Sequence, residues 1–325
     1  MSVPREDLTN AVSATDFYDD RYRHGYMEEW AEAKRERVFK LIAELSLPET
    51  GKALDFGCGA GVFTEVLRAA LPKWEIHGTD ISTEAMSIAA SKLPDVRFHR
   101  LADYPMLTGK FDMVFSHHVL EHVSNLSDSA KIIGSLLKPK ASMVHIMPCG
   151  DPGSLEHTVC TMRRNGIQQE LESRFFFEED GHLRRLTTNQ LVNLWADQGF
   201  NLEYAAYANQ YYGAIKSVTD FSLQFALDFA NPRFATQQCY TGKLRRLQFL
   251  LITIWVLRKP VAIVRNKLSL GCHSLRDRAL LATGIIVWPI SKGVDWIIMA
   301  LALREWKRQR LTSGGSEMYI FLARR

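Results

Sequence analysis

The chain has 325 residues, is 46% hydrophobic and carries a formal charge of +4, enough sequence to bury a full α/β core and leave roughly a second domain's worth over. The small total hides an uneven distribution. Arg233 to Arg310 holds 15 Lys/Arg against three acids (Asp277, Asp295 and Glu305), a local +12, so the remainder is −8. The five cysteines (Cys58, Cys149, Cys160, Cys239 and Cys272) are scattered and lack CxxC spacing, which suggests neither a disulfide framework nor a zinc site and suits a reducing cytosol. The N-terminal MSVPREDLTNAVSATDFYDD has no apolar core of the kind a secretory signal needs.

In chain order, residues 1–50 form a polar lead and a helical cap: Val38, Leu41, Ile42 and Leu45 recur at helical spacing until Pro48 stops the helix. Short apolar runs then alternate with helical patterns: KALDF and helix 60–71, WEIHGT and helix 82–92, VRFH, FDMVFS and helix 126–137, then ASMVHIM. That alternation predicts a doubly wound, mostly parallel sheet. Thr187 to Gln198 reads as a helix with Leu191, Leu194 and Trp195 inward, closed by Gly199 before the strand-like FNLEYAAY. After the flexible Ser313, Gly314 and Gly315, SEMYIFLARR is strand-like again. The expected organisation is therefore a 1–50 cap, a 51–208 core, a 209–313 basic and apolar helical insertion, and a 314–325 return to the core.

The loop Asp55-Phe56-Gly57-Cys58-Gly59-Ala60-Gly61 joins a predicted strand to a predicted helix, where glycines let a ligand approach the backbone. A dinucleotide's pyrophosphate would be opposed by the acid at position 55. Asp55 suits instead a ligand with a cation at this point. Asp80 ends the second strand, placed to accept from two ribose hydroxyls, and Asp103 follows the third, placed to accept from an adenine amino group. Each acid alone could be a cap or turn residue; the three together with the glycines form a constellation.

ALDFGCGAGVFTEVL, IHGTDIS, LADYP, FDMVFSHHVLEHV and LLKPKASMVHIMP resemble successive motifs of the class I methyltransferases that use S-adenosyl-L-methionine (SAM), from about residue 50 to 208 and again at 316–323. The resemblance implies a seven-stranded Rossmann-like sheet with SEMYIFLARR as its antiparallel last strand, and the insertion before it departs from the minimal family pattern. It implies Gly57, Gly59 and Gly61 beside the methionine moiety, Asp80 and Ile81 at the ribose, Ala102 and Asp103 at the adenine, Ser116 and His117 near methyl transfer, and S-adenosyl-L-homocysteine as product. Tyr22 or Tyr26, in the aromatic segment ahead of the sheet, is placed to fold over the cofactor and reach its carboxylate, or belongs to an ordinary amphipathic cap.

Methyl transfer is an in-line displacement, so a base is needed only where the acceptor must lose a proton. His182 and His117 are the candidate bases, with packing histidines as the alternative reading. At the end of the fourth strand, alternation turns one of His117 and His118 toward the cofactor and the other away. His122 reads as structural, and His157 lies on a loop at the site's lip. No linear metal-ligand spacing is present, so a metal-independent reaction is expected.

In the insertion, LQFLLITIWVL is 11 residues long, short of the ~20 a crossing needs. Ala279 to Leu303 is interrupted by Pro289, Lys292 and Asp295. Flanking Lys/Arg and Trp255, Trp288, Trp296 and Trp306 predict a broken hairpin at an anionic membrane interface. The expected function is methylation, at oxygen, of a lipid-like or lipid-linked acceptor by a cytoplasmic protein peripheral to the membrane. The alternatives are a soluble sugar or small-metabolite methyltransferase whose insertion is a lid or homodimer contact, and a SAM-binding scaffold without turnover. Nucleic acid is not an expected partner, since the basic residues are interleaved with aliphatic runs.

Overall fold

A computed structural model describes residues 11–27, 30–179, 181–270, 274–312 and 314–324. The polar lead 1–10, Cys272 and Ser313 lie outside the described residues. The chain divides into two compact units: residues 1–148, 179–205 and 318–325, and residues 149–178 with 206–317.

Unit 1 opens with helices α1 (Ala11–Arg23) and α2 (Glu32–Glu44) and continues β1 (Gly51–Phe56), α3 (Val62–Ala70), β2 (Trp74–Asp80), α4 (Thr83–Lys92), β3 (Arg97–Arg100), a 3₁₀ segment (Leu101–Leu107), β4 (Phe111–His117), α5 (Leu126–Leu136) and β5 (Leu137–Pro148). After the second unit's first segment come α7 (Thr188–Ala196) and β8 (Phe200–Ala208), and β9 (Glu317–Arg324) closes the chain. The sheet order is β3-β2-β1-β4-β5-β9-β8, with β9 antiparallel. This is the expected seven-stranded methyltransferase sheet. Its buried strands read as near-continuous apolar runs because helices cover both faces; Leu54, Met113, Val114, Phe115, Met143 and Val144 are fully buried.

Local chemistry accounts for the helix starts. Ser82 and Asn125 accept from backbone donors three residues on, and Thr187 with Gln190 forms a reciprocal capping box. The strand order reverses between β1 and β4, which pair in parallel at Ala53 with Met113 and Asp55 with Phe115. Such a switch point leaves a crevice beyond the carboxyl ends of the two strands. The glycine loop follows β1 there, and His117 ends β4.

Unit 2 comprises α6 (Leu155–Met162), the short strands β6 (Ile167–Gln168) and β7 (Arg174–Phe175), α8 (Tyr212–Asp220), α9 (Leu223–Phe229), α10 (Gln238–Leu270) and α11 (Leu275–Gln309). Its own core joins Leu155, Val159 and Met162 to Ile215, Val218, Phe229, Leu251 and Ile298. That core corrects the expected boundary: 149–178 belongs with the helical unit, because α6 buries its apolar face there. The hairpin is also not broken. Pro260 and Pro289 sit inside continuous helices, and Val261, next to Pro260, donates its backbone N–H to Ser291 Oγ at 3.2 Å. Neighbouring side chains can supply such partners where proline disturbs a helix. Arg258, only 11% exposed, pairs with Asp295 at 2.7 Å and Asp220 at 2.6 Å and holds α10 to α11 and α8.

Candidate active site

Between β1 and α3 the chain turns through three glycines at φ +78° (Gly57), +50° (Gly59) and +85° (Gly61), a region other residues enter only with strain. A Cβ on Gly57 would lie 2.3 Å from Val119 Cγ2, and one on Gly59 would lie 2.5 Å from the Tyr22 hydroxyl. Gly61 serves packing instead, since a Cβ there would meet Ala89 of α4 at 3.1 Å.

Around this loop unit 1 forms a cavity of about 280 Å³. Of the residues singled out in the sequence, Tyr22, Asp55, Gly57, Gly59, Asp80, Ile81, His117 and His182 line it, whereas Gly61, Ala102, Asp103 and Ser116 are not among its lining residues. Ala102 and Asp103 are exposed on the 3₁₀ segment, where the tighter winding turns them outward and Leu101 takes the wall position. Ser116 points to the other face of β4, as strand alternation requires, and bonds to His145 Nδ1 at 2.7 Å. His157 lies in unit 2, against Phe175.

His117 and His118 both line the cavity, contrary to the expected alternation. The strand ends at His117, and His118 adopts φ +54°, so its side chain is not bound by the strand's two-residue period. His117 stacks on Phe63 with centroids 3.8 Å apart and meets Trp30 edge-on. His118 has Nδ1 3.0 Å from Glu121 Oε1 and Nε2 3.1 Å from Lys34 Nζ.

The acids set the cavity's electrostatics. Burial pushes the Asp55 carboxyl up to about 7, against the Thr64 hydroxyl that donates to it at 2.6 Å. Burial likewise raises Asp80, although Gly59 N and Ser82 N donate to its carboxylate at 2.8 and 2.9 Å. Glu179 is held below the usual carboxylate range: burial opposes ionisation, but Arg21 at 2.6 Å and the Tyr26 hydroxyl at 2.8 Å outweigh it. Glu121 is fully buried and also held low, because the imidazole positive charge beside it, His118 first, outweighs burial.

Helix α1 closes one side. Asp19 accepts from the Ser82 hydroxyl at 2.5 Å and the Glu84 backbone at 3.2 Å, docking α1 on the start of α4. Tyr18, Tyr22 and Tyr26 thereby face the loop, and Tyr22 packs with Ala60 and Ala85. The sequence singled out Tyr22 and Tyr26 but not Tyr18, Glu179, Glu121 or the wall position of His122. Glu179 reaches the cavity only through tertiary folding, 122 positions after Gly57 in the chain.

A family model for a methyltransferase domain matches residues 27–205, more than half of the chain and all of the glycine-loop switch point. The chain belongs to the class I SAM-dependent methyltransferase family. Among curated relatives, trans-aconitate 2-methyltransferase of Variovorax paradoxus is 28% identical over 111 residues, 34% of this chain and 43% of that protein. Ubiquinone biosynthesis O-methyltransferase of Bradyrhizobium diazoefficiens is 33% identical over 129 residues, 38% of this chain and 48% of that protein. The match thus spans less than half the length of either relative. Among solved structures, phosphoethanolamine N-methyltransferase 2 of Haemonchus contortus with SAM aligns at 13% identity over 99% of this chain and 60% of that one, with a TM-score of 0.49.

The methyltransferase's cofactor is SAM, and the cavity fits it on three counts. Asp55 and Asp80 set acidic groups at the loop for a ligand that carries an ammonium and a sulfonium. Tyr18 and Tyr22 add aromatic rings to the lining, and such rings attract cations. The left-handed Gly57 and Gly59 keep the loop backbone bare where a ligand must approach it.

Proposed function

We propose that this methyltransferase transfers the SAM methyl group to an oxygen of a lipid-like or lipid-linked acceptor at the cytoplasmic face of a membrane. SAM, when bound, supplies an electrophilic methyl carbon whose leaving group is a neutral thioether. In this reading Asp80 accepts from the ribose hydroxyls, Asp55 and the tyrosines meet the cationic end, and the walls exclude water from the displacement. His117 and His182 remain the candidate acceptors of a hydroxyl proton, both lying on the cavity wall. Oxygen is the atom named for one relative, the ubiquinone biosynthesis O-methyltransferase.

The membrane half of the reading rests on unit 2 alone. Phe249, Leu268, Ile285, Ile286, Ile290 and Trp296 of α10 and α11 are all at least half exposed. That is more large apolar surface than a soluble helix ordinarily presents. By length and composition Leu275–Gln309 could cross a membrane, with a stretch of mean hydropathy 1.6 that is 11% buried; its Pro289, Lys292 and Asp295 favour an interfacial position. Lys/Arg near an anionic leaflet contribute about 1 kcal/mol each, and tryptophans favour the boundary.

Flotation of purified protein with phosphatidylglycerol vesicles tests this reading. Binding at low salt, weakened by Trp288→Ala with Trp296→Ala, and label transfer from radioactive SAM to a lipid extract are expected. A protein that stays free of vesicles and labels a soluble metabolite fraction would instead support the small-metabolite reading, which the trans-aconitate relative favours.

A further inference from the structure

The expectation of metal independence rests on linear spacing, and tertiary structure brings together what that spacing separates. Glu121 and His122 follow β4, and His182 stands sixty positions on. Each offers a ligating atom, and these atoms all lie within 4.8 Å of one another. His122 and His182 line the cavity, and their rings meet edge to face with centroids 4.7 Å apart.

Two further observations point to a ligand. Glu121 is 0% exposed; Oε1 lies 3.0 Å from His118 Nδ1, which holds the carboxyl low by charge and hydrogen bonding, and Oε2 has no hydrogen-bond partner among the described residues. A fully buried carboxylate with one oxygen unpaired is better satisfied by a further cation or donor. His122 Nδ1 lies 2.9 Å from the Gly181 carbonyl oxygen. A carbonyl can only accept, which favours the tautomer with the proton on Nδ1 and a lone pair on Nε2; the Tyr18 hydroxyl, 3.0 Å from the same Nδ1, favours the reverse when it donates to that nitrogen. Fixing a ring in this way through a backbone carbonyl is how proteins orient a metal-ligating histidine.

We propose that Glu121, His122 and His182 bind one first-row divalent transition-metal ion, Zn²⁺ or Mn²⁺ in class. Two imidazoles and one carboxylate suit such ions, whereas Mg²⁺ and Ca²⁺ favour all-oxygen shells. Three protein ligands leave coordination positions open, as catalytic rather than structural sites do.

The site's role rests on the O-methylation reading. A hydroxyl oxygen of the acceptor, once coordinated, has a lower pKa. With His182 on the metal, His117 is left as the proton acceptor on the cavity wall: the O–H bond breaks with its proton passing to that imidazole, the oxygen lone pair forms the new bond to the methyl carbon, and the C–S electron pair stays on sulfur in S-adenosyl-L-homocysteine.

Protein stripped with a chelator and freed of any affinity tag is titrated with Co²⁺, read by visible absorption, and with Mn²⁺, read by the loss of its free electron paramagnetic signal. One ion per chain is expected, with a Co²⁺ spectrum of low coordination number. Glu121→Gln and His182→Asn are each expected to weaken binding at least tenfold, and an unchanged circular-dichroism spectrum with a single cooperative melt shows that the variants are folded. Wild-type protein that binds SAM but takes up neither ion at 1:1 below about 1 mM would overturn the proposal, as would 1:1 uptake that both folded variants retain. Uptake without any O-methylated product would leave the metal site standing and count against the acceptor reading.

Discussion

The Tyr22 hydroxyl occupies the space a side chain on Gly59 would need, 2.5 Å from the position of its Cβ. This contact ties the N-terminal helix to the glycine loop and makes the loop's tolerance depend on a residue 37 positions earlier. Gly59→Ala is expected to weaken SAM binding at least tenfold in calorimetry, about 1.4 kcal/mol, through the clash and the +50° φ. Adding Tyr22→Phe removes the clashing oxygen and is expected to restore part of the loss, but not the part due to φ. Equal affinities for the single and double variants would show that Tyr22 does not constrain the loop.

Asp55 is buried with its carboxyl pushed up to about 7. A raised carboxylate pKa gives stability that is complete below the unfolded value near 3.8 and is lost as pH rises through about 7. The same ionisation gains a cationic ligand a partner. Between pH 6 and 7.5, SAM affinity is expected to rise while the melting temperature of the ligand-free protein falls. Asp55→Asn is expected to flatten both trends, and an unchanged pH profile in that variant would assign them elsewhere.

His145 lies fully buried between the Ser116 hydroxyl, 2.7 Å away, and Trp195, stacked with centroids 5.1 Å apart. Burial drops its pKa from 6.5 to about 3. A depressed value means the folded protein keeps the ring neutral while the unfolded chain takes up a proton, so stability is full above pH 6.5 and is lost as pH falls toward 3. At pH 5 that loss is about 2 kcal/mol. His145→Gln should start less stable at pH 7 but lose less on going to pH 5, as read by urea denaturation at the two values.

Arg258 gathers Asp295, Asp220 and the Thr219 hydroxyl at 2.7, 2.6 and 2.6 Å. Arg258 itself is 11% exposed, but Asp220 is 45% exposed and keeps Lys216 at 2.7 Å, so removing the guanidinium costs about 1 kcal/mol rather than the full penalty of a buried pair. Arg258→Ala is expected to lower thermal stability and raise proteolysis within 238–309 while leaving SAM affinity within twofold. Arg258→Lys keeps the charge but not the fork, and should fall between.

The alternation of apolar runs and helical patterns determined the sheet, because parallel strands buried on both faces must be apolar and their crossovers amphipathic. The positions of Asp55, Gly57, Gly59 and Asp80 on the cavity wall were legible for a related reason: a loop that carries a strand tip into a helix at a switch point has few backbone solutions, and they leave a trace at fixed spacing. The insertion's charge and aliphatic content were legible as composition. Its unbroken helices were not, since proline's local preference is overridden when neighbouring side chains take up the disturbed backbone groups.

Only the tertiary structure decided which side chains meet. Strand alternation sent Ser116 away from the cavity, a left-handed backbone at His118 cancelled that alternation one residue past the strand, and 3₁₀ winding turned Asp103 outward. Glu179 joined Arg21 and Tyr26, and His182 joined Glu121 and His122. These pairings depend on how elements far apart in the chain dock, and residue spacing encodes only what one local segment can do.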